Sequence, residues 1–227
     1  LQVSFRESGH RIYDLLPVQQ SGRGLGRLPP ADKHDLFFDI EGDPLEEGGL
    51  EYLLGLHYQN AGEDQFKSFW AHNRQEERKA LESFVDFACA WLAAHPNAHI
   101  YHYAPYEQTA LKNLMVRHGT READIDRWLR EGRFVDLYKV VREAMRTSED
   151  GYSIKNIEKF YMPAREGDVQ TAGASIVYYE RWKEMLDQTL LDQIEAYNRV
   201  DLVSTRLLLK WLHTLQANAP AAHPELA

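Results

Sequence analysis

No six residues constrain this chain more than Leu36-Phe37-Phe38-Asp39-Ile40-Glu41. The two phenylalanines and the isoleucine have the propensity of a core strand, and Asp39 and Glu41, two positions apart, must project from the same side of it. Two carboxylates on one face of such a strand repel each other unless a cation neutralises them. An all-oxygen pair suits a hard ion such as Mg²⁺ or Mn²⁺. On these residues alone, a solvated acidic face on an edge strand is an equal reading, because Asp-x-Glu is a common pair. The remaining sequence has to decide between them.

Beyond this strand the chain reads as alternating β and α elements. Gly42-Asp43-Pro44 is a turn signal, with Asp43 weighed as a third ligand against ordinary Asp-Pro turn chemistry. Residues 52–58 and 65–70 read as a hairpin around the polar turn 60–64, and with the first strand they make a three-stranded antiparallel meander. Apolar residues from Leu81 to Leu92 recur at helical spacing over 76–94, and His95-Pro96-Asn97 ends that helix. A strand at 99–103 then returns parallel to the first, since a helical crossover separates them. Pro105 opens a further helix carrying Glu107 in its first turn, 122–130 forms a short charged helix, and 133–138 is a fifth strand carrying Asp136. The stretch 152–160 reads as a short helix capped by Ser153, and helices follow at 175–185 and 189–215. The expected fold is α/β, a mixed five-stranded sheet flanked by helices.

Charge and composition narrow the function. The chain has 26 Lys+Arg against 35 Asp+Glu, a formal charge of −9, which opposes non-specific binding to nucleic acid. A polyanionic substrate would need a local basic patch or bridging metal ions. With 227 residues and 44% hydrophobic content the chain can bury a full core. It contains no apolar run of about 18 residues and no recognisable leader, so it reads as soluble and cytoplasmic with no membrane partner. Its one cysteine, Cys89, lies among apolar residues and reads as a small buried hydrophobe. The chain starts at Leu1, not Met, so it is expected to be a piece of something larger. Residues 1–35, broken by Ser21-Gly22-Arg23-Gly24-Leu25-Gly26 and Pro29-Pro30, read as a linker or the end of a preceding domain. The Ala- and Pro-rich stretch 218–227 reads as a loose tail.

In the last helix, Tyr197-Asn198-Arg199-Val200-Asp201 places Tyr197 and Asp201 on one face. A carboxylate beside the core stripe needs a partner, either a basic side chain or a cation shared with Asp39 and Glu41. The set as a whole resembles the DEDD superfamily of RNase H-like 3′–5′ exonucleases, in its tyrosine (DEDDy) variant: Asp-x-Glu on the first strand, a strand-to-helix carboxylate, and Tyr-x-x-x-Asp on the last helix. More narrowly, FFDIEGDP, YHYAPYEQTAL, FVDLYKVVRE, YSIKNIEKFY and IEAYNRVDLVSTRLLLKWL are similar to the RNase H-like domain of predicted RecB-type nucleases, some fused to helicases. The implied domain covers 36–217. In one respect the chain departs from the pattern: His102-Tyr103-Ala104-Pro105-Tyr106-Glu107 has Glu107 where the family has Asp and Tyr103 where it has Asn. Asp136 is the alternative fourth carboxylate.

The resemblance implies two-metal hydrolysis of phosphodiester bonds at single-stranded DNA or RNA ends, with two Mg²⁺ or Mn²⁺ ions about 4 Å apart. Asp39, Glu41, Glu107 and Asp201 would bind the metals, Asp39 bridging them. Tyr197 would orient the attacking water without acting as a base, since a free phenol titrates near about 10. Lys155 and Lys159, with Arg142 and Arg146, are candidates to meet phosphates, or else a solvated face. Tyr101, Tyr103 and Tyr106 are candidates to stack on a terminal base. Helicase or RecB-like nuclease domains in the same polypeptide are the implied partners. A weakened nucleic-acid-binding module of a helicase-nuclease and a structure-specific endonuclease are the competing readings.

Overall fold

Period-two alternation along one strand divides this molecule into two faces. A computed structural model describes residues 11–16, 22–165 and 171–218. In chain order the elements are β1 (Tyr13–Leu15), a 3₁₀ turn (Gly24–Arg27), β2 (Leu36–Asp43), β3 (Leu50–Asn60), β4 (Glu63–Trp70), α1 (Arg74–Ala94), β5 (Ile100–His102), α2 (Tyr106–His118) and α3 (Glu122–Arg130). Next come β6 (Phe134–Asp136), α4 (Leu137–Ala144), β7 (Met145–Thr147), α5 (Ile154–Ile157), which runs into a 3₁₀ turn (Glu158–Phe160), α6 (Ala172–Met185) and α7 (Gln188–Asn218).

The main sheet has the order β4-β3-β2-β5-β6, with β4-β3-β2 antiparallel and β5 and β6 parallel to β2. This is the mixed five-stranded α/β sheet expected. Leu36, Phe38 and Ile40 point into a core with Leu81, Phe84 and Val85 of α1, Leu111 and Leu114 of α2, and Trp128 of α3. Phe37 points the other way, into a core with Leu202, Leu208 and Leu212 of α7 and Val140 of α4. Asp39 and Glu41 share the side of Phe37, so β2 presents both acids toward the long helix. At 31 residues, α7 runs about 46 Å across that face.

Several boundaries differ from the sequence expectation for identifiable reasons. Ala61 and Gly62, with φ of 52° and 87°, make the whole β3–β4 turn, a two-residue primed turn where five residues were expected. Asn73 accepts from the Glu76 backbone N–H and starts α1 two residues early. The strand expected over 133–138 stops at Asp136, whose carboxylate accepts from the Tyr138 N–H and starts α4 instead. The same oxygen accepts from the N–H of Ala104, a non-glycine residue at φ 76° in the β5–α2 turn. Asp43 takes the turn role: it accepts from the Leu45 N–H at 2.9 Å and pairs with Lys183 at 3.0 Å.

Within 1–35, the described residues pack onto this body. β1 pairs antiparallel with β7, and Glu143 on α4 accepts from the Gly24 N–H (2.9 Å) and from Arg27 (2.7 Å). The glycines at 22–26 were expected to break regular structure, but Gly24 instead permits a close approach to Ala144, within a short 3₁₀ turn. The tail at 219–227 lies outside the described residues.

Candidate metal centre

Asp201 descends from the middle of α7 onto the acids of β2. One carboxylate oxygen from each of Asp39, Glu41 and Asp201 lies within 4.8 Å of the others. Glu41 and Asp201 are buried and Asp39 is partly exposed. Three carboxylates so close destabilise one another's charge. Burial raises the pKa of Asp39 well above the usual carboxylate range, and the charges of Asp201, Glu41 and Glu107 add to it. Burial and Asp201 push Glu41 up to about 8. This donor set is all oxygen and under-neutralised, and it fits a hard divalent cation.

The close approach of α7 depends on a missing side chain. Gly55 of β3 lies opposite Asp39, and a Cβ there would sit 1.8 Å from Asn198 Oδ1. Asn198 occupies that space and donates from Nδ2 to Asp39 Oδ2 at 2.7 Å. On the other acid, Ser175 Oγ donates to Glu41 Oε2 at 2.9 Å and accepts from the Tyr52 hydroxyl at 2.5 Å. Tyr52 stacks on Tyr179 of α6, so that helix is tied to Glu41. Sequence reasoning missed both Asn198 and Ser175. A glycine in the middle of the apolar run Leu53-Leu54-Gly55-Leu56 was the only signal for the first.

Tyr197 sits one turn before Asp201. Its hydroxyl accepts from Lys155 Nζ, which also lies 4.5 Å from the ring centroid. Burial and the charges of Asp201, Glu41 and Asp39 hold the phenol protonated. Arg165, a further residue that sequence reasoning missed, pairs through Nη2 with Asp201 Oδ1 at 2.5 Å and with Glu158 Oε2 at 2.6 Å. Burial opposes its charge, but Glu158 and Asp201 more than offset that and raise its pKa.

Glu107 and Asp136 have different surroundings. Glu107, at the start of α2, is 4% exposed, and its Oε2 lies 3.3 Å from His102 Nδ1 without a hydrogen bond. It stands outside the group of three, although Asp39 feels its charge. Burial raises its own pKa, opposed by His102. One oxygen of Asp136 is taken by the two backbone N–H groups of Tyr138 and Ala104. Tyr101 is fully buried in the core and offers no stacking face, which corrects that expectation, and Tyr103 donates to the Tyr152 carbonyl. Tyr106 is half exposed, its hydroxyl donating to Glu51 at 2.9 Å. Arg142 lies over the rings of Tyr138 and Tyr152, and Lys159 pairs with Glu149.

No described helix is long and apolar enough to cross a membrane. Comparison with curated proteins and with solved structures finds no match. A family model of the RNase H superfamily matches residues 36–213, from the start of β2 into the last turns of α7. That span contains the whole mixed sheet, the acid pair on its central strand and the closing helix with Asp201. The chain therefore belongs to the RNase H superfamily, which implies a nuclease that hydrolyses phosphodiester bonds of nucleic acid and carries divalent metal.

Proposed function

We propose that this domain is a metal-dependent 3′–5′ exonuclease of the DEDDy type, acting on single-stranded ends. The carrying observation is the meeting of Asp39, Glu41 and Asp201, with Tyr197 one helical turn away. These three carboxylates would hold Mg²⁺ or Mn²⁺, with Glu107 as the candidate fourth. Bound divalent metal supplies water activation and neutralisation of the leaving oxygen. The side chains provide the rest. Asn198 and Ser175 fix the Asp39 and Glu41 carboxylates in orientation, which keeps the reorganisation cost of reaction low. Tyr197, kept neutral, can donate to or orient a water but does not take its proton. The catalytic unit is read as 36–217, and a helicase or RecB-like nuclease domain in the same polypeptide is its expected companion.

One observation favours a second reading, a nucleic-acid-binding module with weakened turnover: Glu107 lies beside His102 and stays outside the triad. A 5′-labelled single-stranded oligonucleotide incubated with Mg²⁺ or Mn²⁺ separates the two. Stepwise shortening from the 3′ end that disappears in Asp39→Asn supports the exonuclease. Binding without cleavage at any metal concentration supports the module, and internal products from a circular strand would point to an endonuclease.

A further inference from the structure

Beside the metal centre lies a second feature that the triad does not use. A cavity of about 510 Å³ is lined by Arg11, Lys155, Glu158, Lys159, Met162, Pro163 and Arg165. Its volume falls in the range of small-molecule sites. Among the described residues four cations and one carboxylate line it, in a chain whose formal charge is −9. The single acid is already committed: Glu158 accepts from Arg165 Nε (2.7 Å) and Nη2 (2.6 Å) and from Ser204 Oγ (3.1 Å). Lys159 and Arg11 are partly neutralised by Glu149. Among the described residues Lys155 bonds to the Tyr197 hydroxyl and lies over its ring, and its charge acts on Asp39 and Glu41 without a direct ion pair. Arg165 Nη1 is buried with no acceptor among the described residues, an arrangement that costs free energy.

Two of the lining cations also touch the metal centre, Lys155 through Tyr197 and Arg165 through Asp201. An occupant of the cavity would therefore be continuous with whatever reacts at the triad. A lining of cations together with Met162 and Pro163 suits a group with anionic oxygens and an apolar body.

We propose that this cavity is a backbone subsite that binds a phosphodiester of the nucleic-acid strand next to the one being cleaved, with Lys155 and Arg165 as its donors. Guanidinium and ammonium groups recognise phosphate oxygens independently of base identity, so the subsite fixes the register of the strand and not its sequence. It also provides the local basic patch that an acidic chain needs in order to hold a polyanion. The proposal deepens the nuclease reading and rests on it for the identity of the strand. Its binding step needs no metal.

The test uses fluorescence anisotropy of labelled single-stranded DNA and RNA oligonucleotides in EDTA, with the full chain carrying Asp39→Asn so that nothing is cleaved. Met162→Glu places a negative charge in the cavity, and Met162→Lys a positive one of similar length. The expected result is at least fivefold weaker binding for the first, at least twofold tighter for the second, and at least fivefold weaker binding for Lys155→Ala. The slope of log affinity against log salt should fall by about 0.7 in Lys155→Ala, one phosphate contact on a single strand. Thermal melts of each variant exclude misfolding, and the Met162 pair reads charge at constant shape. Equal affinities for Met162→Glu and Met162→Lys, or wild-type affinity and slope in Lys155→Ala, would overturn the subsite. Cleavage by the wild type with metal is scored separately, so loss of the nuclease reading and loss of the subsite give different results.

Discussion

Replacing Gly55 by alanine isolates the contact that seats α7 on the sheet. At an ordinary strand position with compatible backbone, Gly→Ala stabilises by about 0.4–1 kcal/mol, because the unfolded chain loses freedom. Gly55 has no positive φ to forbid it. The added methyl, however, would lie 1.8 Å from Asn198 Oδ1 and 2.7 Å from its Cγ, far inside ordinary contact. Asn198 is 1% exposed and bonded to Asp39, so its amide has to retreat by well over an ångström and release that bond. Overpacking of this kind costs about 1–3 kcal/mol, and a lost hydrogen bond about 1 kcal/mol more. A net destabilisation of about 2 kcal/mol is therefore expected. Urea denaturation in EDTA measures it, together with Asn198→Ala and the double variant. In the Asn198→Ala background the methyl has room, and Gly55→Ala should become neutral or stabilising. If Gly55→Ala is equally stabilising in both backgrounds, the seating argument is wrong.

The crowded acids also set a pH dependence. Glu41 holds its proton to about 8 in the folded state, against 4.5 for the ordinary group, and Asp39 shifts in the same direction. Between these values the folded state binds more protons than the unfolded one, so metal-free stability should fall as pH rises from 4.5 to 8. Each fully coupled pH unit is worth about 1.4 kcal/mol. Urea midpoints at about pH 5, 6.5 and 8 in EDTA check this, and a slope of the opposite sign would refute it. Apparent affinity for Mn²⁺, read by titration calorimetry, should rise over the same interval, because binding must displace those protons. For the fourth carboxylate, Glu107→Gln should lose most turnover while Asp136→Asn loses less. Asp136→Ala should instead lower stability by about 1 kcal/mol through the lost cap of α4. The reverse ranking in turnover would move the role to Asp136.

Local pattern carried far in this chain, and long-range contact did not. β2 was readable because its apolar residues alternate with the acids, and both sides of that alternation are buried or functional. Tyr197 and Asp201 were readable because helical spacing alone puts them on one face. Asn198 lies between them, yet its meaning comes from Gly55, a residue far away in the chain whose contribution is an absent side chain. Arg165 follows Pro163 in a segment with no periodicity, so nothing local announces its pairing with Asp201. The overextended strand at 133–138 has a similar origin. Val135 and Leu137 alternate as strand residues do, and only the Asp136 carboxylate, by capping Tyr138, turns the chain into α4. The β1–β7 pair joins segments more than a hundred residues apart: a short strand within 1–16 was readable, but its partner at 145–147 was not.

The candidate ligands of the centre belong to two separate elements, Asp39 and Glu41 to the sheet and Asp201 to a helix lying over it. Their mutual separation is thus governed by how far that helix stands off the strands, a gap set by the apolar packing of Leu202, Leu208 and Leu212 and by Asn198 against the bare backbone of Gly55. Since Mg²⁺ binds oxygen at about 2.0–2.1 Å and Ca²⁺ at about 2.3–2.6 Å, a few tenths of an ångström in helix stand-off is enough to change which ion is accommodated best. On the proposed metal-centre reading, the packing at Gly55 would help set the span open to an ion, and choice of metal would depend on tertiary docking as well as on the carboxylates themselves.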